Sequence, residues 1–140
     1  MKKRKDYKKV FENFDFQKLA RWTDARLEKS IGDERIVRNS LKVYSVRKNA
    51  KASILDQKEF VTFKKYIETF TGGKILYGKI KSIKNIPVKT LLSDAFSKDL
   101  KKRGFTFVGS TIIYAYLQST GFVNDHEGKC FRSKELKISA

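Results

Sequence analysis

Glycines and capping residues divide the segment 93–121 into two short helices and the turn between them. Ser93 is predicted to cap a first helix whose apolar residues follow a helical spacing. That helix ends in three consecutive cations and Gly104, which favour a helix C-terminus. Ser110 is predicted to cap the second helix, and Gly121 closes it. The pattern therefore predicts a helix pair joined by a tight hairpin.

A hairpin of this kind can bind a phosphate group. A glycine lets the backbone approach a partner closely, and the free amides at a helix N-terminus attract anions. The alternative is an ordinary helical corner with a solvated basic end, and the spacing alone leaves both interpretations open. The residues predicted to contact phosphates are Lys101, Lys102, Arg103, Gly109, Ser110 and Thr111.

Three strings in and after the hairpin resemble the C-terminal part of the DNA-3-methyladenine glycosylase I family. They are SDA-x-SKDLKKRGF, then FVG-x-T-x-x-YA-x-x-Q, then GFVNDH with a cysteine four residues after the histidine. Weaker likeness extends to KKRKDYKKVFENFD and to IVRNSLKVYSVRKNAKA. The resemblance covers nearly all of the 140 residues but not the whole family domain.

The resemblance implies an all-α, helix-hairpin-helix DNA glycosylase-like domain that is truncated at its N-terminus. We expect one domain over residues 1–140, with the hairpin motif at about 93–121, a zinc-ligand-like tail at 122–130 and a flexible end at 131–140. The implied activity is hydrolysis of the N-glycosidic bond of 3-methyladenine in alkylated double-stranded DNA. This is the base-excision step of DNA repair, performed by a hydrolase.

The resemblance also implies that this chain is catalytically incomplete. In the family, the segment before the basic helix supplies the acidic residue, the base-stacking aromatics, the DNA wedge and two zinc ligands. We therefore expect no catalytic residue here, and Tyr114 and Gln118 are candidates for one wall of the base pocket. Asp125 could replace the acid, although a hydrogen bond within the tail is its simpler role.

Several explanations of the shorter chain remain open. It can be a natural truncation, a mis-set start codon, a decayed gene fragment, or one half of a split glycosylase with a separately encoded N-terminal fragment. A non-catalytic DNA-binding helix-hairpin-helix module is the alternative function. The resemblance implies that the family's N-terminal segment covers the core helices. Without that segment these helices would expose apolar surface, so self-association is expected.

The chain has one histidine and one cysteine, His126 and Cys130, at a spacing that can share a metal ion. Structural zinc takes four ligands, and the resemblance implies that the other two come from the family's N-terminal segment. Two ligands alone bind weakly, so an unliganded pair is the alternative for the isolated chain. Zinc is the only cofactor that the sequence predicts.

The charge balance favours a polyanionic partner. The formal net charge is +17, from 32 Lys and Arg against 15 Asp and Glu, although part of the lysine excess can reflect genomic bias. No apolar run approaches the length of a membrane span, and nothing at the N-terminus resembles a signal peptide. A single cysteine excludes an internal disulfide, so the expected compartment is the cytoplasm.

Apolar spacing predicts the remaining elements. A core helix is expected over Ile36–Leu55, with Asn39 either a cap or a buried polar contact. An aromatic-rich helix over 60–70 should end at Gly72, and Trp22 is expected to pack rather than stack on a base. In the stretch 74–90, apolar and basic residues alternate as they do in a β-hairpin. The stretch is nevertheless predicted to be an ordered loop with at most a short extended piece.

Overall fold

The computed structural model describes residues 3–78, 80 and 82–138, and this part of the chain is predominantly helical, which confirms the all-α prediction. The two strands pair in parallel, with Leu76 opposite Val123. The elements are α1 Arg4–Val10, α2 Phe16–Ala20, α3 Asp24–Ile31, α4 Ser40–Phe60, α5 Phe63–Thr71, β1 Leu76–Tyr77, α6 Leu91–Lys102, α7 Ser110–Ser119, β2 Val123–Asn124 and α8 Phe131–Ile138, with 3-10 turns at Glu12–Phe14 and Ile83–Asn85.

The chain divides into two compact units, where the sequence predicted one domain over 1–140. The first unit comprises Met1–Phe63 and Leu100–Phe107, and the second comprises Lys64–Asp99 and Val108–Ala140. The physical reason is that each unit buries its own apolar cluster. Sequence periodicity shows which residues are apolar, but it does not show which of them share a cluster.

Helix α4 is the longest helix of the first unit, and it begins four residues later than the sequence predicted. Asn39 caps it, since its Oδ1 accepts a hydrogen bond from the Lys42 amide at 3.0 Å. Val43 and Ala50 are buried on the inner face of the helix. Leu41 and Leu55 also lie within the predicted core helix, but they are 71% and 60% exposed, because the packed face is narrower than the apolar stripe.

Trp22 belongs to the interior of the first unit, as predicted. Its ring stacks on Phe11 with centroids 5.8 Å apart, and its Nε1 donates to Glu12 Oε1 at 3.2 Å. The Arg26 guanidinium lies 5.0 Å from the ring centroid. The ring and the polar edge of the indole are therefore both engaged in packing, which accounts for its 8% exposure.

Aromatic packing forms the core of the second unit. Tyr66 and Phe70 of α5 lie against Phe96 of α6, with ring centroids 5.3 and 4.9 Å from it. The Tyr66 hydroxyl donates to Asp99 Oδ2 at 2.6 Å. Helix α5 ends before Gly72, whose φ of +64° suits glycine, so the predicted stop is confirmed. The predicted start was wrong, because Phe60 is the last residue of α4 and the aromatic helix begins at Phe63.

The segment 74–90 has the short extended piece that was predicted, in strand β1. The next helix begins earlier than expected. Thr90 and Ser93 form a capping box at the start of α6: the Thr90 amide donates to Ser93 Oγ at 2.9 Å, and the Ser93 amide donates to Thr90 Oγ1 at 3.2 Å. Ser93 therefore completes the cap from inside the helix, and the prediction that it is the N-cap was wrong.

The end of the chain also differs from expectation, because the predicted flexible tail at 131–140 forms helix α8 up to Ile138. The Ser133 amide donates to the Cys130 carbonyl at 3.0 Å, and Arg132 pairs with Glu135 at 2.8 Å. Ser133 is buried, so the helix has an inner side. Over the described part of the chain, none of the helices is both long enough and apolar enough to cross a membrane.

Candidate functional site

The N-terminus of α7 presents backbone amides without a side-chain cap. Gly109 is the N-cap residue, with φ −62° and ψ 152°, and as a glycine it has no side chain to accept from the first amides of the helix. Ser110 was predicted to be the cap, but it is the first helical residue, and its Oγ lies 2.7 Å from Ser93 Oγ. Unsatisfied amides at a helix start attract an anion, so a phosphate contact at this end stays a prediction.

A carboxylate lies beside this helix end. A hydrogen bond from Ser110, helped by the nearby Lys89 ammonium, lowers the pKa of Asp94 below its usual value. The ion pair between Lys89 Nζ and Asp94 Oδ1 measures 3.5 Å. Asp94 is therefore charged near neutral pH, and Lys89 offsets part of its repulsion toward a phosphate. Thr111, on the first turn of α7, is exposed.

The three predicted cations Lys101, Lys102 and Arg103 belong to the first unit and differ in their surroundings. Both lysines are exposed. The Arg103 guanidinium instead pairs with Asp56 at 3.2 Å and with Glu59 at 2.6 Å. It also lies over the ring of Phe60, 4.8 Å from the centroid. Arg103 is thus engaged within its own unit, whereas the two lysines are exposed.

Tyr114 lies in the interior of the second unit rather than on an open wall. Its hydroxyl donates a short hydrogen bond to Asp125, and Gln118 Nε2 donates to the same carboxylate oxygen at 3.1 Å. Burial raises the pKa of the Tyr114 hydroxyl, and the Asp125 carboxylate raises it further. Tyr114 thus stays protonated and donates. Of the two predicted pocket residues, Gln118 borders a cleft and Tyr114 supports it from within.

That cleft has a volume of about 690 Å³ and is lined by α7, β2 and the tail that follows β2. Its polar residues include Gln118, Asn124 and His126. Asn124 is buried, its Oδ1 accepts from the His126 amide at 3.2 Å, and its Nδ2 has no hydrogen-bond partner among the described residues. A buried unpaired donor costs free energy, so Asn124 Nδ2 is a destabilising group behind this wall.

His126 and Cys130 are close enough to share one metal ion. Their Nδ1 and Sγ atoms lie 3.8 Å apart, at a second cavity of about 300 Å³ that Ile86 and Glu127 also line. Two tetrahedral zinc ligands with ordinary Zn–N and Zn–S lengths lie roughly 3.5 Å apart. In the described ranges, no group of three or more His, Cys, Asp or Glu residues could hold a metal ion. The pair fits half of a structural zinc site.

Sequence reasoning missed the cluster around Asp125. The predicted bond within the tail is replaced by bonds to α7, and a glycine distant in sequence completes the cluster. A Cβ on Gly78 would lie 1.8 Å from Asp125 Oδ1, so only glycine fits at that position. No local pattern could reveal this contact, because the packing of β1 beside β2 creates it.

Comparisons with known proteins agree with one another. A sequence profile of a family described as methyladenine glycosylase matches residues 1–133. The DNA-3-methyladenine glycosylase of Haemophilus influenzae is 36% identical over 130 residues, which cover 93% of this chain and 70% of that protein. The DNA-3-methyladenine glycosylase 1 of Escherichia coli is 35% identical over 130 residues, with the same 93% and 70% coverage. A crystal structure of 3-methyladenine DNA glycosylase I is similar with a TM-score of 0.87 and 35% identity, covering 92% of this chain and 71% of that one.

Proposed function

Because the chain belongs to the methyladenine glycosylase family, we propose that it acts in base-excision repair by hydrolysing the N-glycosidic bond of 3-methyladenine in alkylated DNA. The observation that carries this proposal is the family match over residues 1–133. Methylation at N3 leaves the base positively charged, which weakens the bond to the sugar. The protein then has to flip the base out of the stack and hold it, at a cost of a few kcal/mol. The direct test is release of 3-methyladenine from methylated DNA.

For contact with DNA, we propose a helix-hairpin-helix mode. The amides at Gly109, Ser110 and Thr111 supply a phosphate site within the second unit. Separately, the exposed Lys101 and Lys102 of the first unit are proposed as phosphate contacts of their own. Phosphate contacts of this kind position the protein without reading sequence. A role on DNA also favours the compartment that holds the DNA, and we propose the cytoplasm.

Reversing the charge of Lys101 and Lys102 together is expected to weaken binding to duplex DNA. Each phosphate contact contributes about −0.9 to the slope of log affinity against log salt, so losing two contacts should reduce the slope by about 2. Fluorescence anisotropy of a labelled duplex over a salt series measures both quantities. The matched control is Lys18→Glu with Lys29→Glu, which makes the same charge change at exposed lysines of α2 and α3. Equal affinity and slope in both double variants would exclude the two hairpin lysines as contacts.

A second candidate function is DNA binding without base excision. The buried position of Tyr114 favours it, because a hydroxyl that donates to Asp125 inside the unit cannot also line an open base pocket. The two functions differ in one measurement, since a binding module retains salt-dependent affinity for duplex DNA and releases no methylated base.

We propose that His126 and Cys130 hold zinc as two of four ligands. The 3.8 Å between their Nδ1 and Sγ atoms supports this, as does the borderline-soft character of a nitrogen and sulfur donor pair. When bound, zinc would provide a structural link and no catalytic step. The residues themselves act by presenting the imidazole and the thiolate at one cavity.

The isolated 140-residue chain is expected to contain well under one zinc per chain, because two ligands bind weakly. Mixing it with a polypeptide corresponding to the part of the Escherichia coli relative outside the match should raise occupancy toward one zinc per complex. Elemental analysis after gel filtration measures the ratio, and Cys130→Ser serves as the control that removes one ligand. A monomeric chain that already holds one zinc would contradict the proposed half-site.

We propose the same complementary polypeptide as a partner, with self-association as the outcome when it is absent. In the second unit, Leu91 is 89% exposed, Val88 is 71% exposed and Ile112 is 57% exposed. Large apolar side chains left in water favour any surface that covers them. The gel filtration step of the zinc experiment distinguishes a mixed complex from a homo-oligomer.

A further inference from the structure

The tail after β2 is anchored by one buried carboxylate. Asp125 lies between buried Asn124 and exposed His126, and it is 9% exposed itself. Two donors from α7 reach it, the Tyr114 hydroxyl and Gln118 Nε2. A buried carboxylate with two donors in low dielectric is a firm attachment point, because breaking either bond leaves a costly polar group.

Strand β1 fixes the same carboxylate from another side. The Gly78 amide donates to the Asn124 carbonyl at 3.0 Å, and the Leu76 amide donates to the Phe122 carbonyl at 3.0 Å. At Gly78 a methyl group would collide with Asp125 Oδ1, at 1.8 Å. The backbone at Gly78, directly after β1, therefore passes close against the carboxylate.

This attachment determines where the following residues lie. With Asp125 directed inward, the next side chain of the tail, His126, is directed outward, and its amide donates to Asn124 Oδ1. A turn then brings Cys130 back, since its amide donates to the Glu127 carbonyl at 2.8 Å. The result is the separation of 3.8 Å between His126 Nδ1 and Cys130 Sγ.

We propose that Asp125 is a positioning residue: held by Tyr114, Gln118 and the Gly78 backbone, it fixes the direction in which His126 faces Cys130. Tyr114 and Gln118 then serve the tail and not a flipped base. This inference deepens the proposed metal site, and its metal-binding test rests on that proposed site. The geometry of the tail can be measured without metal, so that part of the inference does not depend on the metal site.

Removing the Tyr114 hydroxyl tests the proposal with little change in shape. Tyr114→Phe is expected to weaken the apparent affinity for Co²⁺ about tenfold, the loss typical when a group that orients a metal ligand is removed. The thiolate-to-cobalt charge-transfer band of the 140-residue chain follows the titration. Tyr66→Phe is the matched control, because it removes a second tyrosine-to-aspartate hydrogen bond of the same unit, to Asp99. It should lower the melting temperature similarly and leave Co²⁺ affinity unchanged.

Two further variants separate positioning from general damage. Asp125→Asn keeps an acceptor for Tyr114 and should lose less affinity than Asp125→Leu. Gly78→Ala should reproduce the loss of Asp125→Leu without removing any polar group, because its methyl group displaces the carboxylate. Equal Co²⁺ affinity in Tyr114→Phe and the unaltered chain, or an equal loss in Tyr66→Phe, would overturn the proposal.

Amide hydrogen exchange distinguishes failure of the positioning role from failure of the metal site. Without metal, the His126 amide should exchange about fivefold faster in Tyr114→Phe than in Tyr66→Phe, since a net hydrogen bond is worth about 1 kcal/mol. If the unaltered chain shows no cobalt–thiolate band, the proposed metal site is wrong and exchange alone decides the role of Asp125. Equal exchange in the two variants would reject positioning.

Discussion

Replacing Arg103 with alanine is expected to lower the free energy of unfolding by about 3 kcal/mol. Its guanidinium pairs with Asp56, whose side chain is 2% exposed, and with Glu59 at two oxygens. Removing one partner of a buried ion pair leaves the other charge without its compensation. The substitution also removes the favourable contact between the guanidinium and the ring of Phe60.

Urea denaturation measures this change, with Arg38→Ala as the control. Arg38 pairs with Glu34 at 3.0 Å, but both side chains are largely exposed, so the control should cost less than about 0.5 kcal/mol. The sequence placed Arg103 among the phosphate contacts, and that prediction has its own outcome. An Arg103→Ala chain with unchanged stability and a salt slope smaller by about 1 would assign Arg103 to DNA contact instead.

The 140-residue chain, assayed by itself, is expected to release 3-methyladenine at least about 1000-fold more slowly than the chain mixed with the complementary polypeptide. The family resemblance assigns the acidic group and the stacking aromatics to a part of the family domain that these residues do not contain. The cleft along α7 has Gln118 on one wall. One wall neither excludes water from a flipped base nor offsets the cost of flipping it.

The assay measures methylated base released from methylated duplex DNA by the chain alone, by the mixture and by a Tyr114→Ala chain. The Tyr114→Ala variant should match the unaltered chain within error when neither is complemented, because the proposal assigns the catalytic group to the complementary polypeptide. Turnover by the uncomplemented chain that Tyr114→Ala abolishes would place the catalytic centre beside Tyr114. Release by the mixture that does not exceed the chain alone would reject the proposed partner.

Local sequence signals predicted the helical elements well, and the reason is that neighbours along the chain produce them. The glycine stop after α5 confirms this, as does the helical spacing of the aromatic residues in that helix. For Asn39, in contrast, the sequence left two roles open, a helix cap or a buried polar contact. Only the position at which α4 begins shows that it is the cap. The end of the chain was misjudged because a short polar segment shows its helical side only when it packs, as Ser133 does.

The family resemblance indicated which side chains are candidates for function, but it could not assign all of their contacts. Of the residues predicted for DNA or base, the structure leaves Lys101 and Lys102 exposed and draws Arg103 and Tyr114 into ion pairs and hydrogen bonds. Those partners, Asp56 and Asp125, carry no sequence motif that marks them as partners.

The sequence by itself determined the all-α class, the family, the hairpin segment and the pair of candidate metal ligands, because each depends on residue types at short spacing. The tertiary structure alone decided which polar groups remain available to a partner. Arg103 meets Asp56 across 47 positions of the chain, and Gly78 meets Asp125 through the pairing of β1 with β2. Such contacts form only when distant segments close upon one another and bury their charges, and a linear pattern does not record that closure.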